Sequence, residues 1–263
     1  MRLQMAGIMS CALAAGCAEP DVPLSIKFVA EYAGTPASCA DDTPVRMSDL
    51  RFYVSGFRFR DAAGAWQRIT LDDDDRWQQP DLALVDLEDG TGSCMNGTAD
   101  TNDRVTGSVP AGGMRGLEFT LGVPFERNHG DPLRAAPPLG DPAMHWHWRG
   151  GYKFLRAGVQ TDGDGFWIHL GSTGCRGTIG NITHCDAPNR VTVRLDDFEP
   201  GDDVVIDLAA LVAGGALDDG VATDCASGPG EELCAASFRA LGLDHASGRA
   251  DGVQQLFAAR AGR

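Results

Sequence analysis

The chain has 263 residues, 43% of them hydrophobic, enough apolar material for a sizeable core. Its 37 acidic residues against 22 basic ones leave a formal net charge of −15, which argues against nucleic acid and anionic membrane surfaces and suits a protein that attracts cations or a basic partner. The length allows one or two domains, and all-β sandwiches of this size are often single.

Residues 1–17 read as an export signal. Arg2 precedes an apolar, Ala-rich run that ends at Leu13-Ala14-Ala15-Gly16-Cys17, the pattern of a bacterial lipobox in which Cys17 becomes lipidated. The run is too short to span a membrane. Residues 18–263 are then expected to form one β-rich domain in the periplasm or outside the cell, with anchoring through Cys17 and plain secretion both open. Setting Cys11 and Cys17 aside leaves Cys39, Cys94, Cys175, Cys185, Cys225 and Cys234. An even count in an exported chain reads as three disulfides, chosen from fifteen pairings. Cys175 with Cys185 and Cys225 with Cys234 are close in sequence, which leaves Cys39 for Cys94. No Cys-x-x-Cys occurs to favour a thiolate metal site instead.

Leu24 to Tyr32 alternates as a first strand, and Arg51 to Arg60 is a long aromatic one. Asp61-Ala62-Ala63-Gly64 turns the chain into Trp66 to Leu71, a hairpin partner. The run of four Asp before Arg76 reads as a solvated loop. Leu82 to Leu87 and Gly116 to Val123 are further strands, the second stopped by Pro124. A long Pro-rich connection from Phe125 to Pro142 carries His129 and has no apolar periodicity, and such loops often carry function.

Next comes Met144 to Phe154, which gathers two of the five Trp and two of the six His into one short stretch. As a strand it puts Met144, Trp146 and Trp148 on one face and His145 with His147 on the other. Tyr152 to Val159 continues the strand. Phe166 to Leu170 returns after Asp162-Gly163-Asp164-Gly165, which lacks the remaining EF-hand spacing and reads as a turn. Phe166, Ile168 and Leu170 share one face of the returning strand, Trp167 and His169 the other. Arg190 to Phe198 and Asp203 to Val212 read as strands, Glu231 to Leu241 and Gly252 to Arg260 as short helices. The expected fold is mostly β: an antiparallel β-sandwich or open barrel with short C-terminal helices, bridged by disulfides.

Several chemistries are excluded. Gly171-Ser172-Thr173-Gly174-Cys175 is not Gly-x-Ser-x-Gly, and no phosphate loop, dinucleotide fingerprint, His-Glu-x-x-His or haem-attachment motif occurs. Metal binding remains, since imidazole suits copper and zinc and thioether suits Cu(I). One arrangement takes His145 and His147 with a third His as a zinc site with an open position for water, a hydrolase or lyase. Another takes His129 from the loop and His169 from the hairpin, meeting at the Trp146 and Trp148 face. A third use of these residues, a carbohydrate- or surface-adhesion sandwich, would expose both Trp as stacking platforms.

The chain also resembles the MbnP family, the metallo-mystery pair four-Cys-motif proteins. The resemblance rests on Gly122-Val123-Pro124-Phe125, Asn128-His129 and Pro138-Leu139, then Met144-x-Trp146-x-Trp148 with Gly151-Tyr152-Lys153-Phe154. It continues through His169-Leu170-Gly171-Ser172-Thr173-Gly174-Cys175 and Cys185 to Asn189-Arg190-Val191, so it covers most of the mature chain. It implies a periplasmic copper protein paired with MbnH, a dihaem cytochrome c peroxidase-like protein that oxidises a Trp to kynurenine. By that resemblance Trp146 or Trp148 is the modified residue and His129 and His169 are ligands. Met144 is a candidate soft donor, and His145 and His147 stand where the motif is variable and could form a secondary site. The protein would then handle or acquire copper and be the substrate of its partner, itself no enzyme.

Overall fold

The computed structural model describes residues 21–40, 43–111, 113–212, 217 and 223–262. The expected signal and Cys17 lie outside these residues. Two sheets face each other and neither closes on itself. The smaller runs in the order Phe257–Arg260, Asp203–Asp207, Val22–Tyr32, Arg104–Val109, Thr70–Leu71, with Thr35–Pro36 added to Val22–Tyr32. The larger runs Val191–Leu195, Arg115–Leu121, Arg46–Arg60, Gly151–Gln160, Gly165–Gly171, Thr223–Cys225. The hairpin of Gly151–Gln160 and Gly165–Gly171 pairs as its alternation requires.

Aromatic side chains fill the space between the sheets. Phe28 of the smaller sheet meets Phe52 and Phe119 of the larger at ring distances of 5.5 and 5.9 Å, and Phe257 meets Phe119 at 5.4 Å. Each such burial stabilises the fold by roughly 1.5–3 kcal/mol. The long strand Arg46–Arg60 keeps its apolar side inward by changing phase. Leu50, Phe52 and Val54 face the core, and so do Phe57 and Phe59 after one extra residue at Gly56. Gly56 has φ of 64°, the left-handed conformation a glycine bulge needs, and the register slips there. A second slip between Lys153 and Leu155 sends Tyr152 and Phe154 to the outer face of the larger sheet but Leu155, Ala157 and Val159 to the core.

That outer face carries its own apolar cluster, Tyr53, Leu84, Met144, Tyr152 and Phe154, with Val123 and Leu139 from the connection that crosses it. Tyr53 Oη donates to the carbonyl of Pro138 at 3.0 Å and ties the connection down. Among the described residues the disulfides are Cys175–Cys185 and Cys225–Cys234, as their short spacing suggested, and Cys39–Cys94, the pair that remained.

Some elements differ from the sequence reading. Gly252 to Arg260 is no helix: Phe257–Arg260 pairs antiparallel with Asp203–Asp207, because a free sheet edge outweighs weak local helix preference. Asp203 to Val212 is a strand only to Asp207 and then a short helix, Leu208–Val212. Trp66 to Leu71 splits between the sheets, Trp66–Arg68 on the larger and Thr70–Leu71 on the smaller. Among the described residues two strand pairs are parallel, Val22–Tyr32 with Asp203–Asp207 and Gly165–Gly171 with Thr223–Cys225. Thr173–Thr178 and Asn181–Ala187 form a separate two-stranded hairpin that the Gly- and Thr-rich sequence conceals. Among the described residues no helix is long and apolar enough to cross a membrane.

Candidate metal centre

The hairpin fixes His169. Phe166, Ile168 and Leu170 enter the core, so Trp167 and His169 project from the outer face, as alternation predicts. Arg156 stands opposite His169 in register. Ser227 Oγ donates to the His169 carbonyl at 2.7 Å and accepts from Gly171 N–H at 3.3 Å, which holds this end of the strand. Burial, followed by the nearby Arg156 and Lys153 cations, pulls the imidazole down to about 4. His169 is therefore neutral at physiological pH, with a nitrogen lone pair free for a metal.

The Trp-rich stretch lies across the end of this hairpin. Only His145–His147 is strand, and its pairing with Gly151–Gln160 is irregular, so alternation does not extend over Met144 to Trp148. Met144 is fully buried in the outer-face cluster, Trp146 is half-buried and Trp148 is 37% exposed. The three do not share one environment as a regular strand would require. Trp146 stands edge-on to His169 with ring centroids 6.5 Å apart. It also lies over Gly171, where a Cβ would come within 3.1 Å of the indole. Trp148 carries the Arg149 guanidinium 4.9 Å from its ring centre. His145 packs against Tyr152 at 5.3 Å, and burial lowers its pKa. His147 Nδ1 accepts the backbone N–H groups of Arg149 and Gly150 at 3.2 and 3.1 Å, so one of its nitrogens serves the turn.

His129 is placed by its neighbour. Pro124 opens the short helix Phe125–Asn128, which His129 ends. The buried Asn128 accepts the Tyr152 N–H at 2.9 Å and donates to the Gly150 carbonyl at 3.2 Å. This clamp needs glycine at 151, where φ is 79° and a Cβ would meet the Asn128 carbonyl oxygen at 2.1 Å. His129 Nε2 lies 3.2 Å from Asn128 Nδ2 and 3.6 Å from Cys185 Sγ, and its ring meets Phe125 at 5.2 Å. Its Nδ1 is buried without a hydrogen-bond partner, and burial lowers its pKa. An orphaned nitrogen of this kind costs about 1–3 kcal/mol, which a bond to a metal would remove.

A cavity of about 520 Å³ is lined by Trp146, His147, Gly150 and Cys175 but by neither His129 nor His169; His129 rests against Cys185, the other half of the Cys175–Cys185 bridge. Trp146 stands edge-on to His169, while His129 lies against the disulfide whose other half, Cys175, lines the cavity. Among the described residues two groups of three donor side chains lie within 4.8 Å of one another, His129 with Cys175 and Cys185, and Glu231 with Cys225 and Cys234. Both rely on bridged sulfurs, and neither contains His145 or His147, as a three-donor zinc site there would. The positioning roles of Asn128, Gly151 and Ser227 were not predicted, although Asn128 and Gly151 both stand in the motif that carries the family resemblance. A neutral imidazole edge-on to an indole, as His169 is to Trp146, fits a soft or borderline cation once the ring acquires a donor atom.

A family model described as MbnP matches residues 21–227. The solved structure titled MbnP from Methylosinus trichosporium superposes with a TM-score of 0.77 at 27% identity, covering 91% of this chain and 98% of the other. No curated protein matches the chain.

Proposed function

We propose, from the premise that this chain belongs to the MbnP family, that it is an exported copper-binding protein serving copper acquisition or handling. The copper would be held by His169 and His129 together with the oxidised side chain of Trp146. The observation that carries this reading is the edge-on approach of Trp146 to a half-buried His169 that stays neutral down to about pH 4. Trp148 is favoured less, because it is more exposed and its ring face is taken by Arg149.

Indole offers a metal no lone pair, so the reading needs a covalent change. Opening the C2–C3 bond places one oxygen atom on each carbon and leaves an aryl ketone and an N-formyl amine. Hydrolysis then releases formate and leaves kynurenine, a primary aromatic amine able to join two imidazoles. The oxidising equivalents would come from a dihaem partner of the MbnH type with dioxygen or peroxide as the oxygen source. Under this reading the chain is that partner's substrate and turns over nothing itself. Copper supplies a soft centre that tolerates low coordination. The protein's own residues do the rest: Arg156 and Lys153 oppose protonation of His169, Gly171 admits the indole, and Asn128 fixes the helix end that presents His129. Periplasmic location, with lipid anchoring through Cys17, belongs to the same reading, to which the three disulfides lend support.

Copper titration of the protein co-produced with its partner tests the ligand set. His169→Ala and His129→Ala should each weaken binding by about 100-fold or more, the scale on which loss of a ligand or its support acts. His147→Ala should leave affinity unchanged. Unaltered affinity in both His169→Ala and His129→Ala would remove the assignment.

A further inference from the structure

We propose a second, thiol-dependent site for a soft cation, formed by Cys175, Cys185 and His129 when the bridge between the two cysteines is reduced. It shares His129 with the copper site proposed above, so the two compete for that ring, but it uses neither Trp146 nor His169 and does not rest on the kynurenine reading.

The geometry is that of a collapsed ligand set. Cys175 and Cys185 are direct partners across the small hairpin, and His129 Nε2 lies 3.6 Å from Cys185 Sγ, with all three donor atoms within 4.8 Å of one another. A zinc-like ion bound at about 2.3 Å to sulfur and about 2.0–2.1 Å to imidazole holds such a pair roughly 3.5–3.8 Å apart. The histidine therefore already stands at coordination distance, and only the two sulfurs must separate. They belong to a two-stranded sheet that is paired to neither large sheet, so rotation of two side chains disturbs no core strand. Cys175 also lines the cavity of about 520 Å³, through which a reductant and an ion can reach the site. The other bridges lack this access: Cys39 and Cys94 are at most 1% exposed, and Cys225 and Cys234 are fully buried.

The chemistry balances with an external dithiol as reductant. One dithiol gives two electrons and two protons to the disulfide and becomes a cyclic disulfide, leaving two thiols on the hairpin. One Cu(I) then displaces both thiol protons and takes two thiolates and one imidazole, a three-coordinate set that suits a soft monovalent ion. Thiol–disulfide exchange with an external disulfide, which takes the two electrons from the thiolates and two protons from water to become a dithiol, closes the bridge and expels the ion. The exported chain would thus release soft metal on oxidation and accept it from reducing, thiol-rich surroundings.

The test uses full-length protein produced without any oxidising partner, so that Trp146 is unmodified. Its bridge is opened with dithiothreitol, which is removed anaerobically before Cu(I) titration against a chromophoric chelator. Reduced protein should bind one more Cu(I) than oxidised protein, with thiolate-to-metal charge-transfer absorption in the near ultraviolet. Cys175→Ser with Cys185→Ser should abolish that equivalent, His129→Ala should weaken it at least tenfold, and His169→Ala should leave it unchanged. An equal stoichiometry in oxidised and reduced protein, or an extra equivalent that survives in the double serine variant, would overturn the proposal. A His129→Ala protein that folds yet binds as tightly as wild type would do the same, and so would a reduced protein whose circular dichroism is that of an unfolded chain.

Discussion

His169 shows most clearly how a single residue's chemistry follows from its place in a strand. Its face was legible from Phe166, Ile168 and Leu170, because a period of two leaves no other side for it. Its environment was not legible, since Arg156 becomes its neighbour only through the register of the hairpin, and that register shifts at Lys153. An imidazole pulled from its ordinary 6.5 to about 4 binds fewer protons folded than unfolded. Its contribution to stability is therefore fully present above about pH 6.5 and is lost as pH falls towards 4. The loss is at most about 3 kcal/mol, less whatever water at the partly open ring screens away. Burial pushes the acids Asp86 and Glu88 up to about 6 and about 8, and they act with the opposite sign over an overlapping range. The informative quantity is thus the difference between metal-free wild type and His169→Gln in urea melts. That difference should shift in favour of the variant between pH 6.5 and 4, and a pH-independent difference would contradict the burial described.

At the scale of elements, the centre depends on a short helix pinned to the start of a strand. Asn128 makes two hydrogen bonds to the backbone around Gly151, and the approach is too close for any Cβ. Gly151→Ala should cost about 2–4 kcal/mol in denaturant unfolding, from positive-φ strain and a clash with backbone. It should also weaken copper binding in the loaded protein by displacing His129, whereas Gly163→Ala, in open space on a turn, should do neither. The Met144 to Trp148 stretch marks the limit of reading elements from sequence. Alternation holds only where pairing is regular, and here three strand residues and a slip give Met144, Trp146 and Trp148 three different environments. Gly252 to Arg260 misled for the complementary reason: the partner that makes Phe257–Arg260 a strand lies some fifty residues earlier.

At the scale of the whole molecule, composition, turn spacing and cysteine arithmetic were enough for a disulfide-bridged β-sandwich, because each depends on local pattern or simple counting. The parallel insertion of Asp203–Asp207 beside Val22–Tyr32 was not legible, since nothing local records a partner so distant in sequence. The bridges contribute unequally. Cys39–Cys94 closes a loop of 55 residues and the other two close loops of 10 and 9, so the chain-entropy account assigns about 4 kcal/mol to the first and about 3 kcal/mol to each of the others. Cys39→Ser with Cys94→Ser should accordingly lower stability more than Cys175→Ser with Cys185→Ser, as urea unfolding will report. The central claim joins all three scales: an exported sandwich presents Trp146 against His169 so that oxidation of this one indole completes a copper site. Peptide mass mapping of the chain purified after co-production with a dihaem protein of the proposed type tests it most directly. The account predicts a gain of about 4 Da on Trp146 in the copper-loaded fraction. A copper-loaded protein whose Trp146 is unmodified, or whose gain sits on Trp148, would contradict it.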